Sequence, residues 1–164
     1  MKKRSDAVEA GERDHHVGAG VEAVYTVLRL YRRLDERDYR GVAALMAPGG
    51  IWYRQGEQLE GEAEILRALS KRSPTLVIHH LLSNMFADVA DDNTARVTGY
   101  MQVVRYDGGA PVSGPAPLSG VENIRTIRAK LVPTVHGWRI QGMTTDPISF
   151  TVPSLAKPSS NKTV

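Results

Sequence analysis

The sequence predicts an α+β domain, a curved and mostly antiparallel sheet wound into a cone-shaped barrel with three helices packed on it. Three features carry that expectation. Apolar residues recur at helical spacing early in the chain, the period falls to two from about residue 75, and glycine or proline marks each change. At 164 residues, 41% of them hydrophobic and 24% charged, the chain has the length and composition of one folded unit with a sizeable core.

Over residues 21–38 the stripe Val24, Val27, Leu28, Tyr31 and Leu34 predicts the first helix. Residues 39–47 predict a second, which buries Val42, Leu45 and Met46 and stops at Pro48-Gly49-Gly50. Residues 51–54 and 58–60 flank a turn at Gly56 and predict a short β segment. Gly61-Glu62 then opens a third helix, which carries Ile65, Leu66 and Leu69 and ends at Ser73-Pro74. Residues 75–89 alternate, with Ile78, His80, Leu82, Asn84 and Phe86 on one side and Val77, His79, Leu81, Ser83 and Met85 on the other. Asp91-Asp92-Asn93 predicts a turn into a strand over 95–106. A loop rich in proline and glycine follows to about Gly120, and strands over 121–132 and 138–144 complete the sheet. The charged opening and the Pro-, Ser- and Lys-rich close predict flexible segments over 1–19 and 153–164 around an ordered domain at 20–152.

Composition removes several classes of function. Without cysteine there is no disulfide, no thiolate metal cluster and no cysteine nucleophile. The sequence pI of about 9.3 raises nucleic acid as a partner. Once the two ends are set aside, residues 17–152 hold fifteen bases against fourteen acids, and the arginines are scattered among the acids. No nucleic-acid partner is expected from that pattern. No apolar run approaches the roughly 20 residues of a membrane span, so no membrane partner is expected and the cytoplasm is the default location. The glycines at 49–50 and 108–109 lack the strand–glycine–helix context that binds phosphate, and no acid or histidine cluster has metal-ligand spacing. No cofactor is therefore expected, and the chemistry left to the chain is acid–base chemistry.

Asp35 follows Tyr31 by four residues, one turn further along the apolar face of the first helix. A carboxylate there is either solvated at the helix end, paired with Arg32 or Arg33, or part of a site. His79 and His80 point to opposite sides of one strand, and alternation does not choose between them. Either is a satisfied core residue or a general base.

Three stretches go further: Leu34-Asp35-Glu36-Arg37-Asp38-Tyr39 with Met46-Ala47-Pro48 and Tyr53-Arg54, then His80-Leu81-Leu82-Ser83-Asn84, then Trp138-Arg139-Ile140 with Met143-Thr144-Thr145-Asp146-Pro147-Ile148. In this order of elements, residues 20–152 resemble the SnoaL-like (polyketide cyclase) branch of the nuclear transport factor 2-like superfamily. Within it they are most similar to scytalone dehydratase and to the hexachlorocyclohexane dehydrochlorinase. The resemblance implies that His80 is a catalytic base oriented by Asp35, and that Tyr53 polarises a substrate carbonyl. It further matches Asn123 to a polar pocket residue. Tyr31 reads as cavity wall, and alternation puts Asn84 on the side of His80. Arg125 and Arg128 fall on opposite sides of their strand, so one of them, here Arg128, faces inward and holds an anionic or halide group, or both are solvated at the surface. One departure bears on the reaction. The dehydratase has a second histidine in the strand that here runs from Gly99 to Asp107, and no histidine occurs in it.

The function implied is that of a lyase without cofactor, working by dehydratase- or dehydrohalogenase-like elimination, or of an isomerase. Its substrate would be a small apolar or aromatic cyclic molecule. The alternative is a non-catalytic small-molecule-binding protein, or a structural subunit resembling the small subunit of ring-hydroxylating dioxygenases. A homodimer or homotrimer is expected, because the open face of such a sheet is commonly covered by another copy.

Overall fold

In the computed structural model, residues 2–90 and 94–152 are described, with side chains from His16 onward. The expected turn at 91–93 and tail at 153–164 lie outside the described residues. Helix α1 (Lys2–Asp35) starts well before residue 21, since residues 2–20 contain no proline and many good helix formers even where apolar periodicity is missing. Ala23, Val27, Leu30, Tyr31 and Leu34 form its buried stripe, none of them more than 3% exposed. Leu30 thus takes the place expected for Leu28, and each such leucine contributes about 1.5–3 kcal/mol by leaving water. The helix ends in a Schellman motif, with Asp38 N–H donating to Arg33 O at 2.9 Å and Arg37 held at φ 62°. The guanidinium of Arg37 offsets that strain by donating to Ser73 O and Leu76 O at 2.7 and 2.9 Å.

Helix α2 (Tyr39–Ala43) is capped by the Asp38 side chain, which accepts from Gly41 N–H. It stops short of the predicted end, and Pro48-Gly49-Gly50 does not break a helix. Those residues lie inside strand β1 (Met46–Arg54) and form an irregularity between Met46 and Ile51. Gly49 has φ 66°, and a Cβ on Gly50 would stand 2.6 Å from Ile140 O. Strand β2 (Glu57–Glu60) and helix α3 (Gly61–Leu69) follow as expected in kind. Then come β3 (Val77–Val89), β4 (Ala95–Tyr106), β5 (Asn123–Thr134), β6 (Gly137–Thr145) and a two-residue β7 (Phe150–Thr151) with no sequence pattern of its own.

The seven-stranded sheet runs β2-β1-β6-β5-β4-β3, with β7 paired to β5. All pairings are antiparallel except β1 with β6. The sheet is curved but not closed, and β2 and β3 are its two edges. Its concave face and the three helices enclose one core, with Trp52, Ile65, Leu69, Ile127, Leu131 and Ile140 among its buried residues.

Alternation along β3 fails partway. Register against β4 slips between Ser83 and Phe86, where Asn84 adopts φ 49°. Beyond this bulge Met85, Ala87 and Val89 turn onto the core, while Asn84 and Phe86 face solvent. Gly99 sits opposite because a Cβ there would run into Met85 Sδ. Asn84→Val should lower stability by about 1–2 kcal/mol, the cost of a left-handed backbone for a branched residue. Asn84→Gly should stay within about 0.5 kcal/mol, since glycine adopts that backbone without strain. Urea unfolding checks both, and equal midpoints for the two variants would sink the account.

Candidate active site

An edge strand leaves every second backbone N–H without a strand partner. At His80 on β3 the end of α1 fills that gap. The His80 backbone N–H donates to Asp35 Oδ2 at 2.8 Å, and its ring Nδ1 lies 2.5 Å from Asp35 Oδ1. A carboxylate only accepts, so the ring nitrogen facing it, Nδ1, carries a hydrogen. Both side chains are 11% exposed. Asp35 is held in turn by the anchoring of the α1 terminus, where Arg72 Nη1 donates to Leu34 O at 2.6 Å beside the Arg37 contacts.

His80 lines a cavity of about 440 Å³ together with Tyr31, Leu34, Trp52, Leu59, Met101 and Val103. The Tyr31 ring stands 5.2 Å from the imidazole, centroid to centroid, tilted by 47°. Burial pushes the Tyr31 phenol well above its ordinary range, against the opposing charges of Arg125 and Arg54, so it remains a neutral hydroxyl. Asn123 is 6% exposed. Its Nδ2 donates to Glu122 Oε1 at 3.2 Å and its Oδ1 accepts from Arg125 Nε at 3.1 Å, so it serves the arginine beside it.

Other residues singled out from the sequence lie elsewhere. Tyr53 is 50% exposed and borders both the cavity and a groove on the outer sheet face; its neighbours Trp52 and Arg54 are the ones that stand over the cavity. Period-two alternation through residues 51–54 was the signal that pairs Trp52 with Arg54. Arg128 forms a two-point ion pair with Asp146 and lines that outer groove, so Arg125, two positions from Asn123 on the same side of β5, is the arginine of the cavity. Asn84 lies on the opposite side of β3 from His80 because of the bulge. His79 is exposed.

The lining is strongly charged for a site expected to take an apolar or aromatic molecule, since it includes Arg54, Lys71, Arg72, Arg105 and Arg125 against Glu57, Asp107 and Glu122. Asp107 stands near the place of the missing second histidine. Hydrogen bonds from Thr75 and Ser73 hold its carboxyl below the usual range, so it is ionised and has no proton to give. Among the described residues no group of three or more His, Asp or Glu is placed to hold a metal ion, and no helix is long and apolar enough to cross a membrane.

An open, curved sheet closing with three helices over a lined cavity is a cystatin-like fold. The chain belongs to the SnoaL-like domain family, whose model matches residues 20–144. Among solved structures it is similar to Aln2 from a Streptomyces species, with 25% identity, a TM-score of 0.63, and 77% of this chain and 88% of that one covered. ActVI-ORFA from Streptomyces coelicolor superposes with a TM-score of 0.62 at 17% identity, covering 77% of this chain and 94% of that one. A dehydratase candidate of the NTF2-like family from Streptomyces avermitilis does so with a TM-score of 0.62 at 20% identity, covering 77% and 95%. No curated protein matches the sequence at a significant level.

Proposed function

We propose that the protein is a lyase or isomerase that works without a cofactor, in which His80 Nε2 removes a proton from a carbon next to a carbonyl. The observation that supports this reading is the two-point hold of Asp35 on His80: with Nδ1–H given to the carboxylate, Nε2 of a neutral imidazole is the ring atom that can accept a proton. Asp35 fixes the ring and stabilises the imidazolium that forms. In the step, the C–H bond breaks, its electron pair moves into an enolate, and the proton rests on Nε2. The enolate then either expels a leaving group with its electrons or is reprotonated at a second carbon. The neutral Tyr31 hydroxyl, on a ring beside His80 in the cavity lining, is the donor assigned to the enolate oxygen. With Asp107 ionised, a leaving group that departs without protonation, such as halide, suits the site better than hydroxide.

Hydrogen–deuterium exchange at the activated benzylic carbon of 2-tetralone in heavy water, followed by NMR, tests the reading without knowledge of the natural substrate. The protein should accelerate exchange over buffer, and His80→Gln should remove about 10²–10⁴ of that acceleration, the usual worth of a placed base. Exchange at the buffer rate would leave a binding role as the better account, and acceleration that survives His80→Gln would overturn the assignment of the base to His80.

A further inference from the structure

We propose that the substrate carries a carboxylate, bound in the His80 cavity by the guanidinium groups of Arg125 and Arg54. The inference rests on the cavity being the substrate site and adds the chemical class of what enters it. Its basis is the pairing of charges around the mouth. Each acid there is already committed: Glu122 to Arg105 at 3.3 Å, Glu57 to Arg67 and Lys71 at 3.8 Å, and Asp107 to the hydroxyls of Thr75 and Ser73. Of the cations, Arg105 and Lys71 are thereby matched, and Arg72 donates to the end of α1 and lies over the Tyr39 ring.

Arg54 and Arg125 remain, and among the described residues neither forms an ion pair with a carboxylate. Arg54 donates to Gln55 Oε1 at 2.8 Å, and its guanidinium carbon stands 5.6 Å from the centroid of the Trp52 ring. Burial first, and Arg72 second, lower the pKa of that guanidinium, while Tyr31, Tyr39 and Glu57 oppose them in smaller measure. Arg125 is braced by neutral groups, with Nε on Asn123 Oδ1 at 3.1 Å and Nη1 at 3.5 Å from Thr145 Oγ1. Its Nη2 takes part in neither bond, and the residue lines the cavity. A braced guanidinium with unused N–H groups is the complement of a carboxylate, which accepts two parallel hydrogen bonds. The three acids nearby disfavour a dianion such as phosphate. Trp52, flanked by Arg54, supplies a flat wall for a ring attached to the acid.

Titration calorimetry with 2-naphthoate and its neutral isostere 2-naphthamide tests this. Naphthoate should bind the wild-type protein at least about tenfold tighter than the amide, the range of a hydrogen bond to a charged group. Arg125→Met should abolish about tenfold or more of that preference while leaving amide affinity within about twofold, and Arg125→Lys should retain part of it because charge survives without the fork. Arg54→Met should reduce the preference independently, which covers the case of an Arg125 variant that does not fold. The acid-over-amide ratio reads anion recognition and the heavy-water exchange reads proton transfer, so failure of this proposal and failure of the proposed chemistry are distinguishable. Equal affinity for acid and amide, no binding of naphthoate, or a preference that survives in both Arg125→Met and Arg54→Met would overturn the proposal.

Discussion

Asp35→Asn is expected to slow proton removal by about 10²–10⁴ while the fold stays intact. The size follows from the number of donors that face the carboxylate. The His80 backbone N–H and Nδ1–H each need an acceptor, and Asp35 supplies one oxygen to each. An asparagine has one oxygen and one amino group. If its oxygen serves the backbone N–H, its amino group must donate to Nδ1, and the hydrogen is driven to Nε2, where it blocks the base. If the oxygen serves Nδ1, the backbone N–H of a part-buried strand edge faces another donor, at a cost of about 1–3 kcal/mol. Long-range ¹H–¹⁵N spectra of the imidazole separate the two cases. The wild-type protein should show the Nδ1–H tautomer, and a wild-type Nε2–H tautomer would contradict the hydrogen bonding on which the proposed chemistry stands.

The second large effect is structural. Gly50→Val should destabilise the protein by about 3 kcal/mol, the upper end of overpacking costs. A Cβ at that position would stand 2.6 Å from Ile140 O, 2.9 Å from Ala47 O and 3.2 Å from Ala47 N, all backbone atoms that cannot swing aside. Strand β1 would have to leave β6, and with it would go the seat of Trp52 and Arg54 in the cavity. Gly49, two strand positions from Ile51, has open space around its Cβ direction and is constrained only by φ 66°. Gly49→Ala should therefore cost about 1–2 kcal/mol, clearly less than Gly50→Val. Equal urea midpoints for wild type and Gly50→Val would show that the parallel β1–β6 pairing tolerates a wider separation than the structure has.

Much of this protein is legible in local pattern. The stripe on α1, the period of two after residue 75 and the turn residues between strands are short-range signals, and each arises from contacts that an element makes with a continuous core. The class of fold and the family follow from their order. The approach of Asp35 to His80 was legible only through resemblance to known proteins, because the pair spans 45 positions and neither residue is unusual in its own window. Pro48-Gly49-Gly50 misled for a physical reason: proline and glycine that would stop a helix also fit a strand irregularity, and only the neighbouring β6 selects the strand.

The remaining differences have one origin. A bulge adds a residue to one strand, and every side chain beyond it changes face. Asn84 was thereby carried away from His80, although nothing in residues 75–89 announces the slip. Likewise the inward arginine of β5 is decided by register, since Arg125 and Arg128 are equivalent in sequence and Asp146, which captures Arg128, arrives from beyond β6. Most of the elements, their order and the chemical types available could be read from the chain, because they depend on local propensity and burial periodicity, and the family could be read through resemblance to known sequences. Which side chains meet in the cavity, and that two of its arginines face no acid, emerged only on folding, because strand register and ion pairing are settled by partners distant along the chain.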